Sequence, residues 1–184
     1  IESYKKAIDL NPNYLQSYFN LGGVFRQVNK FTESEQYYRK VISINPDFIQ
    51  AYNNLAALLQ DLGRFEEAKD LYSRVLELNP SYVAAHYNYS QLKQFDKYDS
   101  HLAQMEKLYL GKSLSDEQRG KICFSLGKAY ENMNKFERSF KYYKEGNTII
   151  KKLLNYNIRQ DRDIFRALKE SYPKIKKNAL KIID

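Results

Sequence analysis

Apolar residues along this chain recur at helical spacing, and polar punctuation divides them into units of one fixed length. In the stretch DFIQAYNNLAALLQDLG, Tyr52, Leu55 and Leu59 fall three and four residues apart, on one face of a helix. Tyr18, Leu21 and Phe25 repeat that face one unit earlier. Asn-Pro follows each unit, at Asn11-Pro12, Asn45-Pro46 and Asn79-Pro80, in steps of 34 residues. Proline disfavours the helical conformation in the residue before it, so each pair ends a helix. The next residue, Asn13, Asp47 or Ser81, is expected to cap the helix that follows. A second break falls at Asn29, Gly63 and Asn134, residue types that accept the left-handed conformation at a helix end. Two residues further on, Phe31, Phe65 and Phe136 open the second helix. Each unit therefore reads as helix A, a tight turn, helix B and a proline-marked turn. A repeat of this size predicts an all-α solenoid of antiparallel helix hairpins.

Residue sizes inside the unit agree with that reading. Leu21 and Leu55 are followed by the small Gly22 and Ala56, and helix B carries the small Ser34 and Ala68. Tyr38 and Tyr72 stand four residues later. Small residues are needed where two helices approach most closely, and aromatics fill the space beside that contact. This order of sizes resembles the tetratricopeptide repeat, with its large-x2-Leu-small-x2-aromatic, small-x3-aromatic and closing Pro. The resemblance implies a right-handed superhelix that binds proteins or peptides along its concave wall.

Units are expected at about 15–46, 49–80, 83–110 and 116–153, the third being irregular. Tyr4 aligns with Tyr38 and Ala7 with Val41, so residues 1–14 read as helix B of a truncated unit. At least one further helix is expected to precede them. In the third unit Asp99 or Ser100 is expected to cap a short helix ending near Leu110, and Ser115 with Gln118 forms a capping box. The fourth is regular again, with Cys123, Leu126, Gly127 and Tyr130 in helix A and Ser139 and Tyr143 in helix B. Its last helix is expected to run through Leu154, followed by a turn at 155–157. A helix across Asp161–Ser171, ended by Pro173, comes next. Residues 154–184 are expected to cap the stack or lead towards a missing domain.

Composition narrows the class without changing it. Hydrophobic residues make up 43% and charged residues 28%, with 7 Gly and 4 Pro, which excludes a disordered tail and favours an all-helical chain. A single cysteine excludes an internal disulfide framework and fits a reducing, cytoplasmic compartment. No stretch approaches the ~18 apolar residues of a membrane span. The net charge of +8 is concentrated from Lys141 onward, where twelve Lys/Arg face five Asp/Glu. The basic residues Lys151, Lys152, Arg159, Arg162, Arg166, Lys174, Lys176, Lys177 and Lys181 suggest phosphate contacts. Ile158, Phe165, Ile175 and Ile182 are interleaved with them, however, as in amphipathic helices that pack on a neighbour. A docking surface for a linked domain is therefore expected ahead of nucleic acid or an anionic membrane.

Reactive chemistry is sparse. His86 and Cys123 both fall in the first large apolar slot of helix A, where packing explains them. His101, near a helix start, is expected to be solvated or to cap. Two histidines and one cysteine at these spacings make no recognisable metal site, and no glycine-rich phosphate loop is present. No catalytic residues, metal or cofactor are therefore expected in this chain.

Candidate binding residues lie on helix A. Its sixth position reads Asn20, Asn54 and Asn88, with Ser125 in the fourth unit. An amide both donates and accepts, so a row of them suits an extended peptide backbone held without reading its side chains. The row resembles the asparagine ladder of the O-linked N-acetylglucosamine transferase repeats, which carries a glycosyltransferase as an alternative. Neighbouring wall residues are Gln16, Phe19, Arg26 and Gln27; Gln50, Asn53, Gln60 and Asp61; Tyr87 and Gln91; Lys121, Phe124 and Lys128. Gln16, Gln50 and Ala84 at the second position argue against a basic clamp for a terminal carboxylate.

From His101 onward the sequence carries a narrower likeness. LAQMEKLY, LSDEQRGKICFSLGKAYENMNKFERSFKYYKEGN and LNYNIRQDRDIF together resemble bacterial tetratricopeptide proteins with a C-terminal sulfotransferase domain. That resemblance implies a scaffold presenting acceptors to a 3′-phosphoadenylyl-sulfate-dependent enzyme. The family's sulfonate-donor loop has no match here, so no catalytic residue is carried over. A free-standing scaffold without an attached enzyme is the alternative.

Overall fold

The computed structural model describes residues 1–155 and 157–180, the side chains of residues 160 and 173–180 excepted. The middle of the expected 155–157 turn, with Lys181 and Ile182 of the basic tail, lies outside them. Among the described residues the fold is all α, and no strand occurs. Helices α1 (Glu2–Leu10), α2 (Leu15–Gln27), α3 (Phe31–Ile44), α4 (Ile49–Asp61) and α5 (Phe65–Leu78) make the regular array. Helices α6 (Val83–Leu92), α7 (Ser100–Leu110), α8 (Asp116–Asn132), α9 (Phe136–Leu153) and α10 (Ile158–Leu180) complete it.

Both turns of the unit follow from local chemistry. Asn29, Gly63 and Asn134 adopt φ of 58°, 76° and 58°, so α2, α4 and α8 end in the left-handed conformation. The amides of Lys30, Arg64 and Lys135 then donate to the carbonyls of Phe25, Leu59 and Tyr130, at 2.8, 2.9 and 2.8 Å. That is the Schellman closure, and it sends the chain back antiparallel. At the other turn the sequence expectation is corrected. Helices α2, α4 and α6 start after Tyr14, Phe48 and Tyr82, which make no side-chain cap. Asn13, Asp47 and Ser81 stand one residue earlier and do not cap. Their amides donate instead to the side-chain oxygens of Asn11, Asn45 and Asn79, at 3.1, 3.0 and 2.9 Å. The intervening proline has no N–H to offer, so the asparagine side chain closes the turn over it.

Helices α2 and α3 meet where side chains are smallest. Ser34 donates its hydroxyl to the Gly22 carbonyl at 2.7 Å. A methyl group on Gly22 would lie 2.7 Å from the ring of Tyr38, which is itself 1% exposed. Gly127 faces Tyr143 at the same 2.7 Å in the fourth unit. Gly22→Ala is expected to lower stability by up to about 2 kcal/mol. Overpacking costs about 1–3 kcal/mol, of which improved helix propensity offsets about 1. Urea unfolding checks this, and a variant as stable as the parent would show that the ring moves aside freely.

The core has two parts. Tyr38, Leu55, Leu58, Leu59, Tyr72 and Val75 fill the first, between α3, α4 and α5. Val83, Phe95, Leu102, Met105, Ile122, Leu126 and Tyr130 fill the second, between α6, α7 and α8. The irregular third unit joins them. α6 has 10 residues against 13 in α2 and α4, and it packs on α5 and directly on α8. α7 is capped by Asp99, which accepts from the Leu102 amide at 2.9 Å, and α8 by the Ser115–Gln118 capping box. Two carboxylates bind the joint together. Glu106 accepts from the Tyr130 hydroxyl and, at 2.7 Å, from the Tyr98 hydroxyl; Glu145 accepts from the Tyr109 hydroxyl and Arg119 Nε, both at 2.7 Å.

His101 departs from expectation. It is 5% exposed rather than solvated, because the short α6 lets α7 lean over the buried His86. The two rings stack with centroids 5.1 Å apart, and Tyr89 and Phe95 flank His101. His86 Nε2 donates to the Pro80 carbonyl at 2.8 Å, since a carbonyl oxygen can only accept. His86 Nδ1 is then the acceptor for His101 Nε2, at 3.0 Å. Burial lowers both imidazole pKa values and so favours the neutral pair, and His101 Nδ1 is buried without a partner.

The C-terminal segment is also corrected. α10 continues across Pro173 to Leu180, because Lys, Ala and Leu beyond the proline favour helix and no glycine intervenes. It does not cap the stack: Ile164, Phe165 and Leu168 are 58%, 71% and 57% exposed.

Candidate functional site

The stack bends towards its A helices. α2 touches α4 and α4 touches α6 across the unit boundaries, a closeness that the B helices α3 and α5 do not match. Positions on the outer side of α2, α4 and α6 thus line the inside of the curve. Asn20, Asn54 and Asn88 are half-buried there, one per unit. Asn20 accepts from Gln16 Nε2 at 2.9 Å, and Asn54 accepts from Asn53 Nδ2 at 3.4 Å. The Asn54 amide also acts on the Tyr38 hydroxyl, and the Asn88 amide on the Tyr72 hydroxyl. Each of these tyrosines lies on helix B of the preceding unit, so the amide row is tied across the unit boundaries. Burial raises both phenol pKa values, Tyr72 to about 12, so these hydroxyls stay protonated.

Tyr72 donates to Gln60 Oε1 at 3.2 Å, and Arg26 pairs with Asp61 at 2.5 Å between units one and two. Arg26 and Asp61 satisfy one another, which leaves the wall of the first three units without an unpaired charge among the candidate residues. Gln16, Gln27, Gln50 and Gln91 are exposed, and Tyr87 is half-buried. The Asn53 side-chain oxygen is buried with its acceptor capacity unfilled. In the fourth unit Ser125 is buried and donates to the carbonyl of Lys121 at 3.0 Å, so the polar row closes there. Lys121 pairs with Glu117 at 2.7 Å, and Lys128 is half-buried.

The two phenylalanines sit differently. Phe19 packs on Tyr38 and Phe48, with centroids 5.9 and 5.3 Å away. Phe124 lies against Tyr143, 6.4 Å between centroids, and over Gly146. Both serve helix packing first, as burial favours for an aromatic. The hydroxyls of Tyr38 and Tyr72 were the wall groups hidden by the sequence pattern. The signal was tyrosine in a slot that phenylalanine would fill equally well. No three His, Cys, Asp or Glu gather to hold a metal among the described residues. No helix among them is long and apolar enough to cross a membrane.

Stacked hairpins with a polar inner wall define a helical-repeat protein built on short-range contacts between neighbours. The sequence matches the tetratricopeptide repeat over residues 15–48, 49–82 and 120–152, together more than half of the chain. The chain belongs to the tetratricopeptide repeat family, and residues 83–119 fall between the matched repeats. Among solved structures it is similar to MamA, with 22% identity and a TM-score of 0.63, over 84% of this chain and 89% of that one. It is also similar to BtubC from P. vanneervenii, with 16% identity and a TM-score of 0.58, over 78% of this chain and 65% of that one. At such identities the likeness is one of fold. No curated protein matches the sequence.

Proposed function

We propose that this chain is a protein-interaction scaffold that holds an extended polypeptide along the wall formed by α2, α4, α6 and α8. The observation that carries the reading is the row Asn20, Asn54 and Asn88, half-buried and spaced 34 residues apart. Each amide retains hydrogen-bonding capacity beyond its intramolecular partners, and the surrounding Gln16, Gln50, Asn53 and Gln91 extend the uncharged polar surface. Such a wall reads backbone more than side chains, so affinity would rest on length and extended shape. Tyr87, Lys121, Phe124, Lys128, Phe19 and Gln27 complete the contact surface at its edges.

Replacing Asn20, Asn54 and Asn88 together by Ala is expected to leave the helical content intact. Binding of a verified peptide ligand should weaken at least tenfold, since three hydrogen bonds at about 0.5–1.5 kcal/mol each are lost. Titration calorimetry on parent and triple variant checks it. Unchanged affinity would remove the wall as the site.

We propose further that the scaffold presents acceptors to a linked sulfotransferase, in the cytoplasm. The support is the likeness of LSDEQRGKICFSLGKAYENMNKFERSFKYYKEGN and LNYNIRQDRDIF to that family's segment before its catalytic domain. Sequencing the parent gene past the codon for Asp184 decides this. A strand, phosphate loop and helix signature supports the reading, and a stop codon leaves a scaffold acting alone.

A further inference from the structure

On α3 the face of helix B turned towards the next unit is engaged by ion pairs. Glu35 pairs with Arg64 of the following unit at 2.7 Å, and Arg39 lies 3.7 Å from Glu67 of that unit. Tyr38 on the same face is buried to 1% exposure. Helix α9 presents the equivalent face with different chemistry. Counting from Phe31 and Phe136, Phe140 stands where α3 has Glu35, and Lys144 stands where it has Arg39. Phe136 and Phe140 are 64% and 69% exposed, and Lys144 is exposed beside them. Helix α10 follows α9 directly but leaves this face open. Its own segment is the wrong sign for Lys144, with eight Lys/Arg against four Asp/Glu from Ile158 to Asp184.

We propose that this face of α9 is a second docking surface, and that its partner is an acidic amphipathic helix from another protein. The replacement of Glu35 by Phe140 exchanges an ion pair for an apolar contact, so the partner needs a large apolar residue there. Arg39 bonds Glu35 of its own helix at 2.7 Å and lies 3.7 Å from Glu67. Lys144 keeps the positive charge but has Phe140 in place of that acid, so the partner needs a carboxylate beside the apolar residue. Helix-in-groove recognition of this kind rests on anchors three and four residues apart. Opposite charges at the rim set partner choice.

The test uses the full chain and two synthetic amphipathic helices. They share one stripe of Leu and Phe, flanked by Glu in one and Lys in the other. At 150 mM salt the Glu-flanked helix is expected to bind at least tenfold more tightly. Phe140→Ser should weaken it at least tenfold, and Lys144→Glu should abolish or reverse the preference. Both positions are exposed, so circular dichroism should be unchanged. Equal binding of the two helices, or none, overturns the proposal. So does a dimer in sedimentation that Phe140→Ser dissolves, which would make a second copy the occupant. Binding to phosphatidylserine vesicles that depends on Phe140 would also overturn it, in favour of a lipid surface.

Discussion

Acidification from pH 7 to 4.5 should destabilise this protein steeply, through two buried histidines. His86 and His101 are buried, stacked and hydrogen-bonded in series to the Pro80 carbonyl. A proton on His86 Nδ1 would oppose the N–H of His101, and a proton on His101 Nδ1 would find no acceptor. Burial, with the neighbouring His86 and Lys93, drives His101 down from 6.5 to about 3, although Asp99 pulls the other way. Burial also lowers His86, against the Pro80 hydrogen bond. The unfolded chain binds protons on both rings as pH falls through 6.5, and the folded chain does not. Stability is therefore fully present above 6.5 and is lost as pH falls below it, down to the folded pKa. Each excess proton contributes a slope of about 1.4 kcal/mol per pH unit. Between pH 6.5 and 4.5, His101 alone accounts for roughly 2–3 kcal/mol. Glu35, Asp99 and Glu145 have lowered pKa values and add their loss only further down. Urea unfolding at several pH values measures the slope. His101→Phe keeps the stacking with Tyr89 and Phe95 while removing one titrating group, and it should flatten the slope by about one proton. A flat profile in the parent chain, or an unchanged slope in the variant, would mean that the joint opens to water.

Leu126→Ala should cost more than any surface change, about 2–5 kcal/mol. Leu126 is fully buried at the centre of the second core, among Leu102, Met105, Ile122 and Tyr130. Truncation would leave a cavity where α6, α7 and α8 converge, and these helices are also held by the Glu106 and Glu145 tyrosine contacts. Those hydrogen bonds fix the helices in place and limit how far they can collapse into the cavity, so the cost should fall in the upper half of that range. At roughly 2–4 °C per kcal/mol for a chain of this size, the midpoint should drop by on the order of 10 °C. Hydrogen exchange should show protection lost across α6–α9 before α2–α4, since solenoid units are coupled mainly to their neighbours. A drop spread evenly over the chain would indicate one cooperative unit.

Much of the regular array was legible in the sequence because its signals are local. Asn29, Gly63 and Asn134 end helices through their own backbone preferences, and Asn-Pro does so by steric exclusion. The sizes at Gly22, Ser34 and Tyr38 report the A–B contact directly. Asn13, Asp47 and Ser81 carry a capping signal that the structure does not use, because two good cap residues flank each proline. Only backbone geometry decides which of the two bonds. At the wall, the amide spacing was legible, but the cross-unit ties to Tyr38 and Tyr72 were not.

Composition and periodicity thus determined the helical class, the 34-residue unit and both of its turns, because each rests on interactions within a few residues. Tertiary structure alone decided the irregular joint. The pairing of His86 with His101 and the convergence of Tyr98 and Tyr130 on Glu106 span 15–32 positions of sequence. Burial of this kind depends on how far α6 is shortened and where α7 then leans, and no residue encodes that alone. The open face of α9 is likewise a tertiary fact. Phe140 takes its meaning from the unit that would cover it, and α10, by its charge and its path, does not.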